Sequence, residues 1–201
     1  MKFQPYEILS TILPGYIFYA LLAKLIPQSQ LDFEVLSSIA IAYLLGYLLN
    51  IIASLLEPIY FFLWGGKPSR NLLSGSGIAK VKFTEWEQTK AYLLKDYHGV
   101  IPLEEKQKTD ALFNVALRES SNVKNSRIAD FNANYALSRT LFTCLLCILP
   151  IGIYVYLHSD LKWLLPFILI ALFLVGIRAR QRGYYFAKEV LNTYLMTRTN
   201  Q

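Results

Sequence analysis

Apolar residues fall into four long runs along the chain, and the polar residues are concentrated between the second and third and after the fourth. The longest run, Ser37 to Trp64, covers about 28 residues, more than the roughly 20 a helix needs to cross a hydrocarbon core. It holds no basic residue, and its one acid is Glu57. Ile8 to Ile26 forms a shorter run in which Pro14 and Gly15 predict a kink. Residues 140–157 form a third, with Pro150 and Gly152 as a second kink, and residues 161–177 a fourth, with Lys162 and Trp163 at its interfacial end. The pattern predicts an all-α polytopic membrane protein with four transmembrane helices and a helical cytoplasmic insertion between spans 2 and 3. Its parts are a transmembrane hairpin over 1–64 (spans 8–26 and 37–64), a helical region over 65–139, a second hairpin over 140–177 (spans 140–157 and 161–177) and a helical extension over 178–201. No secretory signal is expected, because Pro14-Gly15 interrupts the first run and no small-residue cleavage site follows it.

The polar region predicts three helices. One runs from Thr84 to Tyr97, with Thr84 and Glu87 spaced as a capping box. A second begins near Pro102, with Glu104 and Glu105 in its first turn, and fades at Ser120-Ser121-Asn122. The third begins near Asn125-Ser126; no breaker separates it from Leu141, so it should continue unbroken into the third span. Ile78 to Phe83 alternates weakly, as a short strand would. After the fourth span, Ala187, Leu191 and Tyr194 keep a helical period, which extends that helix to about residue 197.

Charge sets the orientation. The chain carries 20 Lys plus Arg against 14 Asp plus Glu, a formal net charge of +6. Basic residues crowd into 65–139 and the tail, whereas the two short connections between spans hold only Lys162. By the positive-inside rule the first residues, the 65–139 region and the C-terminus are expected on the cytoplasmic side. The same rule, together with attraction to anionic headgroups, explains the basic balance without nucleic acid, so direct nucleic-acid binding is not expected. Tyr184, Tyr185 and Phe186 beside the arginines read as lipid anchors rather than base-stacking groups.

The candidate functional residues lie in the second span. Gly46, Asn50, Ser54 and Glu57 are spaced by four, four and three, which puts them on one helix face. In lipid such a stripe turns towards another helix or a watery path. Helix packing is the preferred reading, with Gly46 admitting a neighbour and Asn50 and Ser54 bonding across; the alternative is a pore or ion path. Arg139, Arg178, Arg180 and Arg182 are candidate juxtamembrane contacts to lipid or a partner, and Glu57 can pair with Arg139 or Arg178 as a link between membrane and cytoplasmic parts.

Catalytic signatures are missing from the sequence. Cys144 and Cys147 form a C-x-x-C, but within an apolar run, where they read as small packing residues and not a redox or zinc pair. His98 and His158 fall on opposite sides of the expected membrane. Gly65-Gly66-Lys67-Pro68-Ser69 lacks the spacing of a phosphate loop, and Gly75-Ser76-Gly77 reads as a flexible linker. No catalytic residue, metal site or cofactor is expected, and the protein is read as non-enzymatic.

Leu13-Pro14-Gly15 in the first span, Gly46 to Asn50 (G-Y-L-L-N) in the second, and Ser138 to Phe142 (S-R-T-L-F) leading into the third accompany an architecture that resembles small four-span bacterial inner-membrane proteins of anti-phage defence loci. The membrane subunit of the Kiwa system is one of these. The resemblance covers the whole chain as architecture and carries no site residues. It implies a homo-oligomeric membrane subunit, in contact with the lipid bilayer, that works with a cytoplasmic effector or nucleic-acid-binding protein. The expected function is an oligomeric membrane scaffold or sensor for antiviral defence, whose helical module recruits or senses a cytoplasmic partner. CRISPR- and cyclic-nucleotide-linked membrane effectors look similar at this level and imply a partner- or ligand-gated pore lined by the Gly46, Asn50, Ser54 and Glu57 face.

Overall fold

A computed structural model describes residues 5–25, 35–78, 81–97, 104–123, 126–158 and 161–199. These residues are helical throughout, apart from turns and one isolated bridge, and form no strand. The helices are α1 (Pro5–Leu25), α2 (Val35–Leu63), α3 (Pro68–Leu73), α4 (Trp86–Asp96), α5 (Glu105–Ser121), α6 (Ile128–His158) and α7 (Leu164–Thr199). Three stretches, Leu36–Leu63, Ile128–His158 and Leu164–Thr199, are long and apolar enough to cross a membrane. In α1 the described apolar stretch is Ser10–Ala23. The helix leading into the third apolar run is continuous, as its lack of a breaker predicted, and α7 continues through the arginine-rich stretch to Thr199.

The chain divides into two compact units, Met1–Glu57 with Ala133–Ala179, and Pro58–Asn132 with Arg180–Gln201. In the first unit a small apolar core joins Leu49 of α2, Cys144 and Ile148 of α6 and Ile168 of α7, with Ile17, Phe18 and Leu21 of α1 packed against it. Here α1 and α2 run antiparallel and touch backbone to backbone. A Cβ placed on Gly15 would lie 1.8 Å from the Ala42 carbonyl oxygen, and one on Gly46 would lie 1.8 Å from that of Thr11. Small residues one turn apart, Thr11 and Gly15 on α1 and Ala42 and Gly46 on α2, make that approach possible. The α6 hydroxyls are absorbed locally. Ser138, Thr140 and Thr143 each donate to the carbonyl four residues earlier, at 2.9, 2.9 and 3.0 Å, so an apolar helix can carry them.

The second unit has its own core. Leu72 and Leu73 of α3, Leu93 of α4, Leu112 and Ala116 of α5, and Tyr184, Val190, Leu191 and Tyr194 of α7 are all buried in it. The insertion and the tail therefore fold as one body. Polar bonds tie its parts. Lys67 and Arg70 grip the Asp110 carboxylate from α3, with Lys67 Nζ at 3.0 Å and Arg70 Nε at 2.9 Å. Ser120 Oγ of α5 donates to the Val190 carbonyl at 2.9 Å. Tyr194 donates to Asp96, whose carboxylate is also held by Arg198 Nε at 2.7 Å.

Several local expectations give way here. A short helix over Pro68–Leu73 that the pattern did not predict opens the polar region; the helix expected at Thr84 starts at Trp86, and its N-cap, Glu85, makes no side-chain capping bond. Burial of Val81 and Phe83 fixes the preceding chain, and Thr84 and Glu85 form a turn. The weak alternation at 78–83 yields only an antiparallel bridge between Ile78 and Val81. Gly75-Ser76-Gly77 is a hydrogen-bonded turn in place of a flexible linker: the Ser76 amide and hydroxyl both donate to the Asn71 carbonyl, at 2.8 and 3.1 Å. The helix expected from Asn125-Ser126 begins at Ile128, and the fourth apolar helix begins at Leu164, after a turn containing Lys162 and Trp163. The expected start near Pro102, and His98, lie outside the described residues.

Candidate functional site

Helix geometry brings the polar residues of α2 to a single cation on α6. Arg139 Nη1 lies 3.0 Å from Glu57 Oε1, and Nη2 donates to Asn50 Oδ1 at 3.2 Å and to Ser54 Oγ at 3.1 Å. The steps of four and three from Asn50 through Ser54 to Glu57 place three acceptors along one face, so one guanidinium, with its fork of five donors, reaches all of them. Tyr135, one turn before Arg139, donates to the same Glu57 oxygen at 2.6 Å, and the guanidinium lies over its ring, 5.5 Å from the centroid. Thr140 Oγ1, whose proton goes to the Ala136 carbonyl at 2.9 Å, also lies 3.3 Å from Asn50 Oδ1. Ser54 in turn donates to the Asn50 carbonyl at 3.0 Å.

The ion pair at the centre of the cluster is shielded, whereas Ser54 is exposed. The Arg139 side chain is 12% exposed and that of Glu57 28%. A lone guanidinium in such surroundings would carry a large desolvation cost, which the Glu57 carboxylate and the neutral acceptors offset. One donor is left over: Arg139 Nε is buried without a hydrogen-bond partner. Chemically the group is a charge-neutralised staple between two apolar helices. Glu57 is held by two donors on one oxygen, Tyr135 is engaged as a donor, and no nucleophile stands beside a base.

The other residues singled out from the sequence are separate from this cluster. Gly46 faces Thr11 on α1. Arg178 is exposed, and Arg180 carries a second buried, unpartnered Nε. Cys144 is buried and its Sγ lies 3.4 Å from the Pro14 carbonyl oxygen, while Cys147 is partly buried, and both are free thiols. His158 is stacked on Tyr154, 4.5 Å between centroids. Gly65 and Gly66, at φ +81° and +113°, end α2: their amides donate to Phe62 and Phe61 carbonyls at 3.2 and 2.7 Å, so this Gly-Gly pair is a helix terminus and not a phosphate cradle. Tyr135 and Thr140 were not anticipated, although the spacing of Tyr135 from Arg139 was available as a signal.

The charged groups of the second unit serve its own packing. Burial opposes ionisation of Asp110, but the hydrogen bonds and charges of Arg70 and Lys67 outweigh it and hold the carboxyl below its usual range. The hydrogen bond and charge of Lys90 lower the exposed Glu105 carboxyl. Tyr97, Ala111, Asn114, Val115 and Arg118 line an open cleft of about 330 Å³. Among the described residues no group of three or more His, Cys, Asp or Glu side chains is placed to hold a metal ion. No protein-family model, curated protein or solved structure matches the chain.

Proposed function

We propose that the protein is a non-enzymatic, homo-oligomeric component of a bacterial inner membrane that carries a helical cytoplasmic module for recruiting or sensing a protein partner. In this reading α1 is a fourth span, packed on α2, and the N-terminus, the insertion and the tail face the cytoplasm. The observation that carries the proposal is the second unit: an insertion of about 75 residues and the chain's last helix share one buried core. A folded body of this kind, in a chain with several apolar helices, is what a membrane-held recruitment module requires. The architectural resemblance to membrane subunits of anti-phage defence loci implies a partner that is a cytoplasmic effector or a nucleic-acid-binding protein.

A gated pore lined by Gly46, Asn50, Ser54 and Glu57 is the competing reading, and the exposure of Ser54 favours it. Mass determination in mild detergent, followed by an ion-flux assay of the same sample in liposomes, separates the two. A defined oligomer without flux supports the scaffold or sensor. Flux abolished by Asn50→Leu or Glu57→Leu would replace it with the pore, and a strict monomer would overturn both.

A further inference from the structure

The polar stripe of α2 does not stop at Asn50. Tyr47 and Tyr43 continue it at steps of three and four towards the helix start, on the same side as Asn50 and Ser54. The half of the stripe near Glu57 is covered by Arg139, Tyr135 and Thr140 of α6. The other half is bare: Tyr43 and Tyr47 are 51% and 53% exposed. Tyr16 of α1, 54% exposed, joins them. It directly follows Gly15, as Tyr43 follows Ala42 and Tyr47 follows Gly46, the residues at which the two helices touch. In an antiparallel pair the residues one step beyond the contact positions fall on the same flank, so the three phenols form one group. No hydrogen bond within the described residues engages any of their hydroxyls.

Depth makes this arrangement unusual. Helix α2 has 29 residues, about 43 Å at 1.5 Å per residue, against a hydrocarbon core of about 30 Å. Tyr47 lies two residues from the helix midpoint and Tyr43 six, counted within Val35–Leu63, so both fall within the core and not in the interfacial belts where tyrosine anchors. A hydroxyl facing lipid tails there has no partner. A phenol both donates and accepts, so a patch of phenols is complementary to a copy of itself, which a patch of carboxylates or amines is not. A two-fold axis along the membrane normal would bring two such flanks together.

We propose that the Tyr16, Tyr43 and Tyr47 flank is the surface through which a second copy of this chain docks, completing in trans the polar stripe that α6 covers in cis. This inference rests on the homo-oligomeric reading above and assigns its surface. The full-length protein, labelled with a donor or acceptor fluorophore, is reconstituted into phosphatidylethanolamine–phosphatidylglycerol vesicles and energy transfer is followed as lipid is added. The triple variant Tyr16→Phe, Tyr43→Phe, Tyr47→Phe keeps the rings and removes only the hydroxyls, and it is expected to dissociate at a protein-to-lipid ratio roughly tenfold higher than the parent. In a Cys144→Ser, Cys147→Ala background, Tyr47→Cys is expected to cross-link between copies with a short bifunctional reagent, and Phe173→Cys on the exposed side of α7 is not. Association insensitive to the triple change, with cross-linking at residue 173 and not at 47, overturns this surface and leaves the oligomer standing. Absence of energy transfer at every ratio overturns the surface and the oligomer together.

Discussion

Arg139 concentrates the account at the scale of single residues. Its guanidinium bonds Glu57, Asn50 and Ser54, and removing its one anion leaves a shielded cation without a countercharge. Glu57→Gln is therefore expected to destabilise the protein by about 2 kcal/mol, below the full cost of breaking a buried pair because both groups keep some solvent access. Thermal unfolding in detergent measures it, and the double variant Glu57→Leu, Arg139→Leu should recover most of the loss. A double variant no more stable than Glu57→Gln would show that the pair is not the source of the effect. The sequence showed this cluster in part. Spacing put Asn50, Ser54 and Glu57 on one face, and an expected place at the cytoplasmic boundary made Arg139 and Arg178 the candidate partners of Glu57. Tyr135 and Thr140 escaped because their roles depend on how α6 is turned against α2, a relation between distant segments that no periodicity within either segment encodes.

Among elements, the pairing of α1 with α2 depends on two glycines. Gly46→Leu would drive a side chain into the Thr11 carbonyl, which a Cβ at that position already meets at 1.8 Å. The expected outcome is loss of folded protein in membranes, measured as monodisperse yield after extraction, while Gly65→Ala, with open space around it but a left-handed backbone, should cost only about 1 kcal/mol. The grip of α3 on α5 through Asp110 gives a pH signature. The carboxyl is held below its ordinary value of 3.8, so the native state favours the ionised form. Its stabilising contribution is complete above that value and fades as pH falls through it towards the folded value. The stability gap between the parent and Asp110→Asn in detergent should thus be constant from pH 7 to 5 and shrink below about pH 4; a gap that widens with acid would contradict the ion pair. Long apolar helices were readable from composition, since in them nearly every residue votes the same way. Starts of short helices were not: the Thr84–Glu87 pair had the right spacing, yet burial of Val81 and Phe83 placed the turn where the cap would have formed.

For the whole molecule, function turns on the side of the membrane to which the second unit belongs. Length and apolarity identify three helices able to cross; the proposed arrangement adds α1 as a fourth and takes its orientation from the positive-inside asymmetry. The core shared by the insertion and the tail was not visible in the sequence as such. Each segment showed an apolar edge, but the match between Leu112 and Ala116 on α5 and Val190 and Leu191 on α7 joins residues more than seventy positions apart. The most direct test of the membrane arrangement is thiol labelling in intact cells with an impermeant maleimide, in a Cys144→Ser, Cys147→Ala background, at Gln4→Cys, Gln88→Cys, Lys162→Cys and Met196→Cys. Reaction is expected at residue 162 alone in intact cells, and at all four after the cells are broken. Reaction at residue 4 in intact cells would reduce the spans to three, and reaction at residue 88 would put the module outside the cell and contradict its role as a cytoplasmic recruitment domain.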